Sequence, residues 1–234
     1  MRRRGLLLVM IGALGVGACQ RDPATREAAA TASGTAAAAP APAAPAARPR
    51  VVALGDSLTA GLGLAPDVAW PALVQQKIAA AGLDAEVVNA GVSGDTTAGG
   101  LRRLDWALDG DVKVLVIELG ANDGLRGLPV DQMRDNLSQM IRMAKGRGIT
   151  VLLLGMEAPP NFGPQYTREF RDAFVTVATE HDVAFIPFML AGVAGDTALN
   201  QADGIHPNEE GTRRVADLIW HSLKPLLTRA LATT

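Results

Sequence analysis

Four short stretches hold most of the side chains that could do chemistry: Gly55-Asp56-Ser57-Leu58, Gly91-Val92-Ser93-Gly94-Asp95, Gly120-Ala121-Asn122-Asp123 and Asp203-Gly204-Ile205-His206-Pro207. Between them they supply the parts of an acyl-transfer site. Ser57 is the candidate nucleophile, a weak one until a base takes its proton. His206 is the candidate base. Asp203, on the same turn, can reach the imidazole Nδ1–H, fix the tautomer and stabilise the imidazolium that forms as serine attacks. The backbone N–H groups of Ser57 and Gly94 and the side-chain amide of Asn122 are candidate oxyanion donors, and the missing Cβ of Gly94 lets a substrate approach the backbone. Each signal alone is weak, since a serine at a strand-to-helix turn is more often an N-cap than a nucleophile. Ser93 is a rival, read instead as a cap or brace of the loop that presents Gly94. Asp56 is expected to bond nearby backbone N–H groups, and Asp95 and Asp123 to brace their loops.

The elements that must position these groups are strands of buried type alternating with amphipathic helices. Strands are predicted at Val51–Leu54, Glu86–Asn89, Val112–Leu119, Ile149–Leu154 and Val183–Ile186. Helices are predicted at Asp67–Ala81, Thr97–Leu108, Pro129–Lys145, Arg168–His181 and Pro207–Ala230. Pro207 suits the first position of the last helix, which is expected to bend or break near Pro225. This alternation predicts an α/β fold with a parallel sheet covered on both faces. In such a sheet every strand's carboxyl end points to one rim, where all four stretches would meet.

The front of the chain is of another kind. Met1-Arg2-Arg3-Arg4 is basic, and Gly5 to Ala18 is apolar or small, the shape of a secretory signal over residues 1–18. The lone cysteine, Cys19, excludes an intramolecular disulfide. Residues 19–49 are rich in alanine and proline, have little to bury, and read as an extended tether to a domain over 50–234. A formal charge of -2 with no basic stripe argues against a nucleic-acid partner. His181, at a helix end, and His221, beside Trp220, read as structural, the second half-exposed. With no cysteine cluster or His-x-x-His, neither a metal nor another cofactor is expected.

Taken in order, the four blocks resemble those of the SGNH hydrolases, also called GDSL esterases and lipases, over Val51 to about Leu227. The strings Asn122-Asp123-Gly124-Leu125-Arg126-Gly127 and Asp203-Gly204-Ile205-His206-Pro207-Asn208 look like the branch of acyl-CoA thioesterase I, lysophospholipase L1 and the arylesterases. The resemblance implies a flavodoxin-like three-layer α/β/α sandwich with a five-stranded parallel sheet. It implies Ser57, Asp203 and His206 as the triad, with Ser57, Gly94 and Asn122 as the oxyanion hole. The loop Gly155–Tyr166 is expected to line an acyl groove through Pro160, Phe162 and Tyr166. Val16-Gly17-Ala18-Cys19 resembles a lipobox, which implies lipid attachment at Cys19 and a periplasmic or cell-envelope lipoprotein. Gln20 after the cysteine points to the outer membrane. The implied activity is hydrolysis of carboxylic esters, thioesters or lysophospholipids. An acetyl-carbohydrate esterase and a silent ligand-binding lipoprotein are the alternatives, and the oligomeric state is left open.

Overall fold

In the computed structural model residues 48–233 are described; the predicted signal segment, Cys19 and the predicted tether up to residue 47 lie outside them. Five strands, β1 (Arg50–Gly55), β2 (Glu86–Gly91), β3 (Val112–Glu118), β4 (Thr150–Leu154) and β5 (Ala184–Ile186), form one sheet in the order β2-β1-β3-β4-β5. Every pairing is parallel. The central strands are apolar because both faces are covered: Val52 to Leu54 and Val114 to Ile117 are fully buried. From β1 the chain first goes to one side, to β2, and then crosses to the other, to β3. That reversal opens a crevice at the carboxyl end of β1, where ligands of open α/β sheets bind.

The helices are α1 (Ser57–Ala60), α2 (Trp70–Ala80), α3 (Thr97–Ala107), α4 (Ala121–Leu125), α5 (Val130–Gly146), α6 (Gly163–Glu180) and α7 (Glu209–Ala232). α2 packs on α7 in one layer, and α5 packs between α3 and α6 in the other. α1 and α4 follow β1 and β3 directly and are too short to show any hydrophobic period. α6 starts at Gly163, earlier than Arg168, because the turn Pro160–Phe162 feeds into it and Pro164 suits its first turn.

α7 starts later than expected and is not interrupted at its proline. Pro207 lies before the helix, in an isolated bridge to Asn200; the helix is capped instead by Asn208, whose side chain accepts from the Gly211 N–H at 3.1 Å. The helix also runs through Pro225 unbroken. Pro225 and His221 sit on its exposed face, where water can serve the carbonyl that loses its donor.

Burial and the neighbouring Arg142 hold the His181 imidazole below its ordinary value. The cation at this end of α6 is Lys145, its ammonium donating to the His181 carbonyl at 2.6 Å. His221 is exposed, on the outer face of α7.

Candidate active site

The rim loops do meet. The Ser57 hydroxyl opens α1 directly after β1, and its Oγ lies 2.9 Å from His206 Nε2. On the far side of the ring, His206 Nδ1 is 2.7 Å from Asp203 Oδ2. The other Asp203 oxygen accepts from the backbone N–H groups of Ile205 at 2.9 Å and His206 at 3.0 Å, a tight turn that holds carboxylate and imidazole in register. With Nδ1–H given to Asp203, Nε2 is left to accept from the serine, the tautomer a general base needs.

The His206 N–H, then the His206 side chain and the Ile205 N–H, pull the Asp203 carboxyl from 3.8 down to about 2. A group whose pKa is depressed by folding contributes stability that is complete above the unfolded value and is lost as pH falls through the folded one. Asp203 therefore stays charged well into acid, and the acid side of the rate profile should follow a single group other than Asp203. A plot of log kcat/KM against pH checks this, the expected limiting slope being one. A slope of two would mean that a second group, Asp203 included, titrates with it.

Each of the three groups expected at an oxyanion keeps an N–H without a protein acceptor among the described residues. The backbone N–H groups of Ser57 and Gly94 donate to no protein acceptor among the described residues. Gly94 has φ of 80°, a left-handed conformation in which a side chain would be strained. Asn122, at the start of α4, sends one amide N–H to Asp56 Oδ2 at 2.9 Å, leaving the other free.

Several residues that the sequence reading did not single out tie these loops together. Arg103 donates to Asp95 at 2.7 Å, to the Ala90 carbonyl at 2.6 Å and to the Gly55 carbonyl at 2.9 Å, joining the ends of β1 and β2 to the Gly94 loop. Arg126 reaches the Gly94 carbonyl at 2.7 Å. Gln201 links the His206 loop to the Leu62 carbonyl at 2.8 Å. Asp123 does brace its loop, accepting from the Thr97 N–H at 2.9 Å and the Thr97 hydroxyl at 2.7 Å. Thr96 caps α3 in place of Ser93, which is exposed.

An open groove of about 960 Å³ starts at Leu58, the residue after Ser57, and is lined by Ala121, Leu125, Met156, Ala158, Pro160 and Ile205 among others. Pro160 is in its wall. Phe162 and Tyr166 stand behind the α4 loop instead. Phe162 packs against Gly127, and the Tyr166 hydroxyl donates to the Leu128 carbonyl at 2.9 Å. With Phe170 and Phe174 they form a continuous aromatic column into the core. A smaller apolar recess of about 280 Å³ is lined by Ser57 and His206 themselves, together with Leu62, Leu64, Trp70, Met189 and Val215.

The profile of the GDSL-like lipase/acylhydrolase family matches residues 53–214, from β1 into α7. The chain belongs to that family. As a family member it is 46% identical over 183 residues to the esterase TesA of Pseudomonas aeruginosa, which covers 78% of this chain and 91% of that protein. It is 37% identical to the thioesterase 1/protease 1/lysophospholipase L1 of Escherichia coli, over 78% of this chain and 86% of that one. A crystal structure of TesA superposes with a TM-score of 0.73 at 45% identity, covering 76% of this chain and 99% of that one.

Proposed function

We propose that this member of the family is a serine esterase that hydrolyses carboxylic esters, and thioesters by the same route, through an acyl-Ser57 intermediate. The observation that carries the reading is the unbroken line from the Ser57 hydroxyl through His206 to Asp203, at 2.9 Å and 2.7 Å. In the first half-reaction His206 accepts the serine proton as Oγ bonds to the carbonyl carbon, and returns it to the leaving oxygen or sulfur as that bond breaks. In the second it takes a proton from water, which attacks the acyl carbon, and passes that proton to Ser57 Oγ as the acyl–serine bond breaks and the carboxylic acid leaves. The N–H groups of Ser57, Gly94 and Asn122 hold the oxyanion in both. The apolar groove past Leu58 and Pro160 receives the acyl chain. A series of aryl esters of increasing acyl length, run beside an acyl thioester, tests the reading. Binding without turnover of every one would favour a silent ligand-binding protein, and turnover of acetyl-sugars alone would favour a carbohydrate esterase.

We also infer export and anchoring from the sequence of the leader, with acyl chains on Cys19 holding the domain to a membrane by its tether. Each buried methylene contributes about 0.8 kcal/mol, so several chains suffice where one does not. Fatty-acid labelling that survives Cys19→Ser would sink this.

A further inference from the structure

Behind Ser57 lies a buried polar network that proton transfer through His206 does not by itself require. Asp56 and Glu118, the residues that end the β1 turn and β3, are each 1% exposed, and the Asp56 N–H donates to Glu118 Oε2 at 3.2 Å, which sets the two acids side by side. Two ionised carboxylates side by side out of water repel each other and lack solvation, so one of them holds a proton. The donors around them decide which. Asp56 accepts from the Leu58 N–H at 3.0 Å and the Asn122 amide at 2.9 Å. Glu118 accepts through a single oxygen, Oε2, from the Thr59 hydroxyl at 2.7 Å and, at 3.2 Å, from the Asp56 N–H. Thr59 in turn accepts from the Trp70 indole at 3.3 Å, so its own proton is committed to Glu118. Oε1 is left to carry the acid proton. The nearest cation beneath the turn, Arg103, is taken by Asp95 and by backbone carbonyls.

We propose that Glu118 is a neutral positioning residue that donates its carboxyl proton to Asp56, fixing Asp56 as the acceptor that aims the free N–H of Asn122 at the oxyanion. The proposal rests on the reading of Asn122 as an oxyanion donor. An amide plane held by one N–H has its second N–H direction set, whereas an unanchored amide turns about a soft torsion. Burial pushes the Glu118 carboxyl well above its ordinary value, in line with a group that stays un-ionised at neutral pH. Gly55 makes the arrangement possible. A Cβ there would lie 2.5 Å from Glu118 Oε2 and would also collide with the Thr59 hydroxyl.

The test compares Glu118→Gln, Glu118→Met, Asn122→Ala and the Glu118→Met/Asn122→Ala pair on one aryl ester, with infrared spectra of the wild type and Glu118→Gln. Gln keeps a donor toward Asp56 and an acceptor for Thr59, so its kcat should stay near wild type. Met keeps the bulk alone, and kcat should fall on the order of 10- to 100-fold with KM little changed, the effect of a slightly misaimed group. The double variant should be no slower than Asn122→Ala, since both changes act through one amide. The wild type should show the carbonyl stretch of an un-ionised carboxylic acid at neutral pH, and Glu118→Gln should lose it. That band is read from the wild type, so it does not depend on how well Glu118→Met folds. Gln as slow as Met, fully additive losses, or no such band would overturn the proposal. A slow Asn122→Ala beside a fast Glu118→Met would overturn it alone. A silent Asn122→Ala would bring down the oxyanion reading as well.

Discussion

Replacing Ser57 with alanine should lower turnover of a simple aryl ester about 10⁶-fold and abolish labelling by an organophosphonate, because no other hydroxyl in the site has a base to take its proton. Ser57 Oγ sits 2.9 Å from a nitrogen whose tautomer is fixed by Asp203. The rival, Ser93, is exposed and makes no hydrogen bond among the described residues, so Ser93→Ala should react and label as the wild type does. His206→Ala should be nearly as slow as Ser57→Ala, and the pair no slower than either, since the two groups act as one unit. Steady-state hydrolysis and mass spectrometry of the phosphonate adduct read both effects. A Ser57→Ala enzyme within tenfold of the wild type, or an adduct mapped to Ser93, would remove the covalent route. Some catalysis above water should survive in Ser57→Ala, on the order of 10³-fold, because the oxyanion donors and the binding groove remain.

The sheet was legible because its strands are buried on both faces. Val114 to Ile117 and Leu152 to Leu154 have no solvent side, so the sequence shows short continuous apolar runs between turn residues. The candidate site residues could be gathered for a different reason. A parallel sheet delivers every loop to one rim, so four glycine-rich blocks far apart in sequence could be assigned to one place before any distance was known. What escaped lay in length and in direction. α1 and α4 are a single turn each, below the period that reveals a helix. Tyr166 looked like a groove residue because its loop is rich in proline and aromatic side chains, but its hydroxyl turns toward the Leu128 carbonyl.

The supporting contacts of the site escaped most completely. Glu118 is the last residue of an apolar strand, and nothing local marks it as reaching the turn after β1; the available signal was a lone acid in a run that should bury everything. Arg103 sits in an amphipathic helix where an arginine reads as surface, yet it spans the ends of two strands. Asp56 was read as bonding backbone N–H groups and does accept one from Leu58, but its second oxygen is given to Asn122. Such partners follow from three-dimensional neighbourhood alone, whereas the reacting groups follow from chemistry and could be named first.

Asn122→Ala should cost about 2.7–4 kcal/mol of transition-state stabilisation, or 10²- to 10³-fold in kcat, with KM nearly unchanged. The reasoning turns on when the contact is made. A neutral ester carbonyl accepts only weakly from the amide, while the tetrahedral oxyanion carries a full charge at the same point, so the bond counts mainly in the transition state. The alanine variant also leaves Asp56 Oδ2 without its donor in a buried site, which should lower stability modestly in the same protein. The two effects separate experimentally, the first in kcat at a temperature where both proteins are folded, the second in the denaturation midpoint. Asn122→Asp should be slower still than Asn122→Ala, for it would set a third carboxyl beside Asp56 and Glu118 and turn an acceptor toward the oxyanion. Should Asn122→Ala instead raise KM and leave kcat alone, the amide would be a substrate-binding group and the oxyanion would rest on the backbone N–H groups of Ser57 and Gly94.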